Sequence, residues 1–153
     1  MRAISLKHGF TLIELVVTII VLGIIAAYVV PRLNLLSIQN QGYFDLAKST
    51  IRYGQKRAIA TGCIVNININ TAACNLSWVG CAGNSSITNP ATNNNNFCLD
   101  STPEGSVSNG VFRFDPIGRP MNTGNTVLVS AQDISVGTRT IRVEAQTGFV
   151  HEP

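Results

Sequence analysis

Gly9-Phe10-Thr11-Leu12-Ile13-Glu14-Leu15-Val16-Val17 opens an apolar run that continues to Val30, and its reading decides the fold. From Phe10 to Val30 the interruptions are Thr11, Glu14, Thr18 and Gly23. As a helix this run would be about 31 Å long, close to the roughly 30 Å hydrocarbon core of a bilayer. A secretory signal peptide fits less well, because the run is too long and Tyr28-Val29-Val30-Pro31-Arg32 is a poor cleavage site. Arg2 and Lys7 precede the run, so the positive-inside rule holds the leader in the cytoplasm and sends the rest outward. Glu14 is the anomaly. An ionised carboxylate at membrane depth costs a few kcal/mol or more, so such acids usually mark function. A position one turn into the helix, near its positive end, gives partial relief. A cation from another chain would give more, and would set the axial register between packed helices. Cleavage after Gly9 would create such a cation at the amine of Phe10.

Outward from this run the text changes twice. Leu36, Tyr43, Ala47, Ile51 and Ala58 recur at helical spacing, with Gln39, Asp45, Lys48, Arg52 and Lys56 between them, which predicts an amphipathic helix. Pro31 should kink its join to the apolar run. Gly42 and Gly54 read as soft points, and Gly62 as the C-cap. A single kinked helix from Phe10 to Thr61 would be roughly 78 Å long. From Cys63 the period becomes two. Strands are expected at Ile64–Ile69, Asn75–Val79, Gly110–Asp115, Thr126–Ser130, Arg139–Glu144 and Phe149–His151. Asp115-Pro116-Ile117-Gly118-Arg119-Pro120 reads as a turn, and residues 82 to 96 as a polar, asparagine-rich loop without a core-forming pattern, exposed or mobile. The fold class is therefore α+β: a long N-terminal helix, membrane-spanning in its first half, packed on an antiparallel β head. The expected divisions are a leader at 1–9, the apolar helix at 10–30, the amphipathic helix at 31–62 and the head at 63–153.

Composition restricts function. Of 153 residues 12% are charged, and the formal charge of +3 falls to +1 without Arg2 and Lys7, too little for a general polyanion binder. Cys63, Cys74, Cys81 and Cys98 all lie on the exported side, where an even count and a small core favour two disulfides. Zinc is disfavoured because no CxxC pair and no neighbouring histidine is present. Cys63 and Cys81 sit symmetrically about Ala72, as hairpin partners would, and a local Cys74–Cys81 loop is equally open. The histidines are His8 and His151, so no histidine-centred triad forms in the head. The acids Asp100, Glu104, Asp115, Asp133 and Glu144 are scattered. Gly105 to Gly110 lacks the following helix of a phosphate loop. No catalytic residue, metal or cofactor is expected.

Gly9-Phe10-Thr11-Leu12-Ile13-Glu14-Leu15 resembles the processing motif of type IV prepilins and type II secretion pseudopilins. The resemblance implies a membrane-embedded aspartyl peptidase that cuts between Gly9 and Phe10 and N-methylates Phe10. It makes Glu14 the assembly glutamate and places Pro31 where those helices commonly kink. It also implies a structural subunit and not an enzyme, with three kinds of partner: other pilin subunits through the N-terminal helix, the prepilin peptidase and an inner-membrane assembly platform. Such a chain is a single-pass inner-membrane protein with a periplasmic head before it joins a surface pilus serving adhesion, motility or attachment.

Asp45 to Gly62 running into a strand, and the ending Ile141–Glu144 with Gly148-Phe149-Val150, are similar to H-type pseudopilins and their minor-pilin relatives. Major pilins often close a C-terminal loop with one disulfide, whereas these cysteines lie in the first half of the head. A minor pilin, of a pilus related to the mannose-sensitive haemagglutinin family, is the closest reading; a type II secretion pseudopilin is the alternative. Two basic groups complete the inventory. Lys48, Arg52 and Lys56 form a ridge with Arg57 adjacent, read as a solvated face or as a dock for acidic partners. Arg113, Arg119, Arg139 and Arg142 are the candidate contacts for DNA or a partner, with Arg113 and Arg142 able to share a face. Low net charge and the lack of interleaved aromatics argue against nucleic acid there.

Overall fold

Alternation and helical spacing place the elements largely where the sequence puts them. The computed structural model describes residues 9–29, 35–81, 85–98, 107, 108 and 110–153. It divides into two compact units, residues 1–35 and 36–153. In the first, α1 spans Leu12–Val29. Its 18 residues make about 27 Å of helix. Among the described residues no helix is long and apolar enough to cross a membrane. Glu14 is the only charged residue of α1. The expected extension through Val30 and the kink at Pro31 lie outside the described residues, as does the leader before Gly9.

The second helix, α2, spans Leu35–Thr61 and lies in the second unit from Leu36 onward. Tyr43, Phe44, Ala47, Thr50, Ile51, Gly54 and Ala58 form its buried stripe, at the spacing a core-facing helix requires. Buried Thr50 is satisfied by its own helix, its hydroxyl donating to the Leu46 carbonyl at 2.8 Å. Gly62 ends α2 with φ of 68° and donates to the Ala58 carbonyl at 3.0 Å, a left-handed cap that glycine adopts without strain.

The head contains two antiparallel sheets. In the first, β1 (Ile64–Ile69) pairs with β2 (Cys74–Val79) on one side and β3 (Gly110–Phe114) on the other, and β4 (Pro120–Met121) extends β3. The hairpin register sets Ile64 opposite Val79 and Ile69 opposite Cys74. Its turn is organised by Asn70, whose side-chain oxygen accepts from the Ala72 and Ala73 amides at 2.9 Å each. The second sheet comprises β5 (Gln132–Val136), β6 (Arg139–Val143) and β7 (Val150–His151). Val65, Ile67, Ile69, Leu76, Phe112, Phe114, Ile134, Ile141 and Val143 join the α2 stripe in one core.

Three expectations need correction. Thr126–Ser130 is not a strand: Val127 makes one bridge to Met121, and Val129 is 92% exposed. The strand falls instead at β5, because Gly137-Thr138, with Gly137 at φ 59°, closes a two-residue hairpin that aligns Val136 with Arg139. The expected turn forms, the Gly118 N–H donating to the Asp115 carbonyl at 2.9 Å, but it closes by Arg119, and Pro120 instead opens β4 at a sheet edge, where its missing N–H costs little. The asparagine-rich loop also has a core-facing part. Ile87, Phe97 and Cys98 are buried. Ile87 N–H donates to the Leu76 carbonyl at 2.8 Å and Phe97 N–H to that of Cys74 at 2.9 Å, so this segment covers the free edge of β2. Thr92 and asparagines 93–95 are exposed, with Asn93 in the left-handed region at φ 54°.

Both disulfides form. Cys63–Cys81 bridges the open end of the β1–β2 hairpin with Cα atoms 5.9 Å apart. Cys74–Cys98, at 5.3 Å, ties the covering segment to β2, which excludes the local Cys74–Cys81 loop.

Candidate functional site

Glu14 sits where local chemistry fixes it. The Thr11 carbonyl accepts from the Leu15 amide at 3.2 Å, and the Thr11 hydroxyl accepts from the Glu14 amide at 3.3 Å. Thr11 is therefore the N-cap of α1, and Thr11-Leu12-Ile13-Glu14 has the spacing of a capping box. Reasoning from the apolar run missed Thr11, although the Thr-x-x-Glu pattern was in plain view. The cap holds Glu14 in the first turn, at the positive end of the helix dipole. Among the described residues no cation lies within ion-pair distance of its carboxylate.

Around this one acid, α1 is apolar on every side. Leu12 is 80% exposed, and Phe10, Ile13, Leu15, Val17, Ile19, Ile20, Leu22, Ile24 and Ile25 are exposed as well. A helix hydrophobic all round is normally surrounded by lipid or protein. The arrangement can do one thing well: insert into apolar surroundings while presenting a single carboxylate, one turn from its end, to a cation.

The four candidate arginines of the head do not form one patch. Arg113 lies on β3 and Arg142 on β6, in different sheets, so they share no strand face. Arg113 donates to the Thr123 carbonyl at 2.5 Å and to the Asn125 side chain at 2.8 Å. The other three are ion-paired at 2.7 Å: Arg119 with Asp115, Arg139 with Glu152, and Arg142 with Asp133. Hydrogen bonding to Arg142 holds the Asp133 carboxyl below its usual range, and Arg139 does the same for Glu152. The Arg139 guanidinium also lies 3.8 Å over the Phe44 ring, clasping the C-terminal strand region to α2. Asp115 is buried; it accepts from the backbone amides of Ile117 and Arg119 as well as from the Arg119 side chain. These arginines are thus structural ties first. Among the described residues no cluster is placed to hold a metal ion.

Residues 4–30 match the family model of the prokaryotic N-terminal methylation motif. The chain carries the mark of type IV prepilin-like proteins. No curated protein and no solved structure matches it. The matched stretch contains Gly9, Phe10, Thr11 and Glu14, so the cap and the lone acid of this prepilin-like chain fall inside the motif. Its α+β architecture, with an N-terminal helix, a second helix and antiparallel sheets, is pilin-like.

Proposed function

We propose that this prepilin-like chain is a minor subunit of a type IV filament, cut between Gly9 and Phe10 by a prepilin peptidase and N-methylated on Phe10. One observation carries the reading: α1 exposes apolar side chains on all faces and bears a single carboxylate without a cation among the described residues. Lipid would surround such a helix before assembly, and the α1 helices of neighbouring subunits afterwards. The amine freed at Phe10 of a neighbour supplies the charge that Glu14 lacks, cancelling two buried charges together. The chain is then a structural component and a peptidase's substrate, placed in the inner membrane with its head in the periplasm and later on the cell surface.

Glu14→Ala should leave export and cleavage intact and abolish incorporation into filaments, read by immunoblotting sheared filament fractions against whole cells. Normal incorporation of that variant would sink the proposal. A type II secretion pseudopilin would use the same helix chemistry in another machine, and deletion separates the two. Loss of pili supports the filament, whereas loss of protein secretion with pili intact supports the pseudopilin. For DNA reading the head offers little, since Arg119, Arg139 and Arg142 already hold carboxylates.

A further inference from the structure

Two shallow depressions lie side by side on α2, divided by Tyr53. One, of about 420 Å³, is bordered by Asp45, Lys48, Arg52 and Lys56. The other, of about 370 Å³, is lined mainly by Leu46, Pro90, Ala91 and Phe97, with Thr50 and Asn89 as its polar members. Ser49 and Tyr53 belong to both. The Tyr53 ring is fixed in this position by Phe97, 5.5 Å away between centroids, and Phe97 is itself held by the neighbouring Cys74–Cys98 bridge. A charged trough and an apolar trough thus share one rigid aromatic wall.

The charges around them are unevenly used. Asp115, Asp133, Glu144 and Glu152 each hold a basic partner within the head. Asp45 is the one described carboxylate of the second unit outside such a pair. By contrast Lys48, Arg52 and Lys56 meet no carboxylate at ion-pair distance among the described residues. Arg52 spends one donor on the Val150 carbonyl at 2.8 Å. Lys48 lies 5.9 Å from the centre of the Phe44 ring. Successive turns of one helix therefore present three cations in a row, whereas Arg119, Arg139 and Arg142 are neutralised by carboxylates and Arg113 stands alone on β3. That makes this face, with three cations to the single carboxylate of Asp45, the largest run of uncompensated positive charge among the described residues.

We propose that this face docks a segment of a partner protein that carries carboxylates next to an apolar side chain, the carboxylates lying along Lys48, Arg52 and Lys56 and the apolar group beside Tyr53 and Phe97. A second copy of this chain fits poorly on its described residues, because Asp115, Asp133, Glu144 and Glu152 are internally engaged, leaving Asp45 alone, and its α2 would bring three cations against three. A nucleic acid would use the basic trough, but Phe97 is buried and Pro90 and Ala91 offer no aromatic face, so Tyr53 alone could stack a base. The inference rests on the head alone and is independent of the filament reading.

The test uses the full-length chain in detergent micelles and fluorescein-labelled peptides in a glycine–serine background. The peptides carry three glutamates and one leucine, with the leucine moved through every position. Binding is read by fluorescence anisotropy. We expect at least one register to bind, and to weaken about tenfold when glutamine replaces the glutamates or serine the leucine. Lys56→Glu and, separately, Ala91→Glu should each weaken it about fivefold or more. Both side chains are exposed, so thermal unfolding should match the parent. Three results would each overturn the proposal. One is no binding by any register up to about 1 mM. Another is a short single-stranded oligonucleotide displacing the peptide more effectively than unlabelled peptide does. The third is self-association of the chain that Lys56→Glu abolishes while peptide binding persists.

Discussion

Replacing Gly54 with alanine should destabilise the head, although helix propensity taken alone says the opposite. In an exposed helix interior the change would gain about 1 kcal/mol. Here a Cβ on Gly54 would sit 2.3 Å from Ile67 Cδ1 and 3.3 Å from Leu76 Cδ2. Ile67 is fully buried in β1, so its terminal methyl has little room to move aside. Overpacking of this kind costs about 1–3 kcal/mol, and the contact is close enough to place it in the upper part of that range. The net expectation is a loss of about 1–2 kcal/mol in urea unfolding of residues 36–153, which contain the whole described core.

A double-mutant cycle isolates the cause, because Ile67→Val deletes the very methyl that clashes. Alone it should cost about 0.5–1.5 kcal/mol. Combined with Gly54→Ala it should recover most of the alanine penalty, giving a favourable coupling of about 1–2 kcal/mol. A stabilised Gly54→Ala variant, with strictly additive behaviour in the cycle, would refute the claim that glycine is there for close helix–sheet approach.

Three further outcomes follow from the same geometry. Asp115→Ala strands two backbone amides and the Arg119 side chain. Unfolding free energy should drop by about 3 kcal/mol, and a drop under about 1 kcal/mol would show that water replaces the carboxylate. Removing Cys74 and Cys98 together frees the segment covering β2. A loop of this size predicts a loss of about 3 kcal/mol, with faster amide exchange at Leu76 and Trp78; unchanged exchange would mean the segment holds without its bridge. The third outcome concerns acid. Arg142 and Arg139 depress the folded-state carboxyls of Asp133 and Glu152 below their unfolded values. Their contribution is therefore present above the usual carboxylate range near pH 4 and is lost as pH falls through the depressed values. Asp133→Asn with Glu152→Gln should flatten that acid-side decline at low salt, and superimposable pH profiles would discount the pairs. Both pairs are exposed, so added salt should shrink the difference.

Much of this chain could be read directly, because short-range chemistry decided it. The Gly-Phe-Thr-Leu-Ile-Glu stretch carries its meaning in adjacent residues, and the cap at Thr11 and the stop at Gly62 act within one helical turn. Strands β1, β2, β3 and β6 showed their alternation because one face of each meets a core and the other does not. Where the sequence was misread, a distant partner set the answer. Val127-Leu128-Val129 has strand chemistry but lies next to Pro120 and Met121 for only one bridge, while the less apolar Gln132–Val136 is chosen by β6. Asparagines 93–96 concealed Ile87 and Phe97, whose burial depends on the edge of β2 that this segment covers.

By itself the sequence determined that this protein has an apolar N-terminal helix bearing one acid, a second, amphipathic helix, and a cross-linked β head. Each follows from residue type and spacing along the chain. Only the tertiary structure decided that Cys63 meets Cys81 and Cys74 meets Cys98, and that three of four arginines are neutralised. It alone made Gly54 a contact instead of a weakness. Those outcomes depend on which surfaces close on one another, and a linear pattern does not hold distances between residues far apart in the chain.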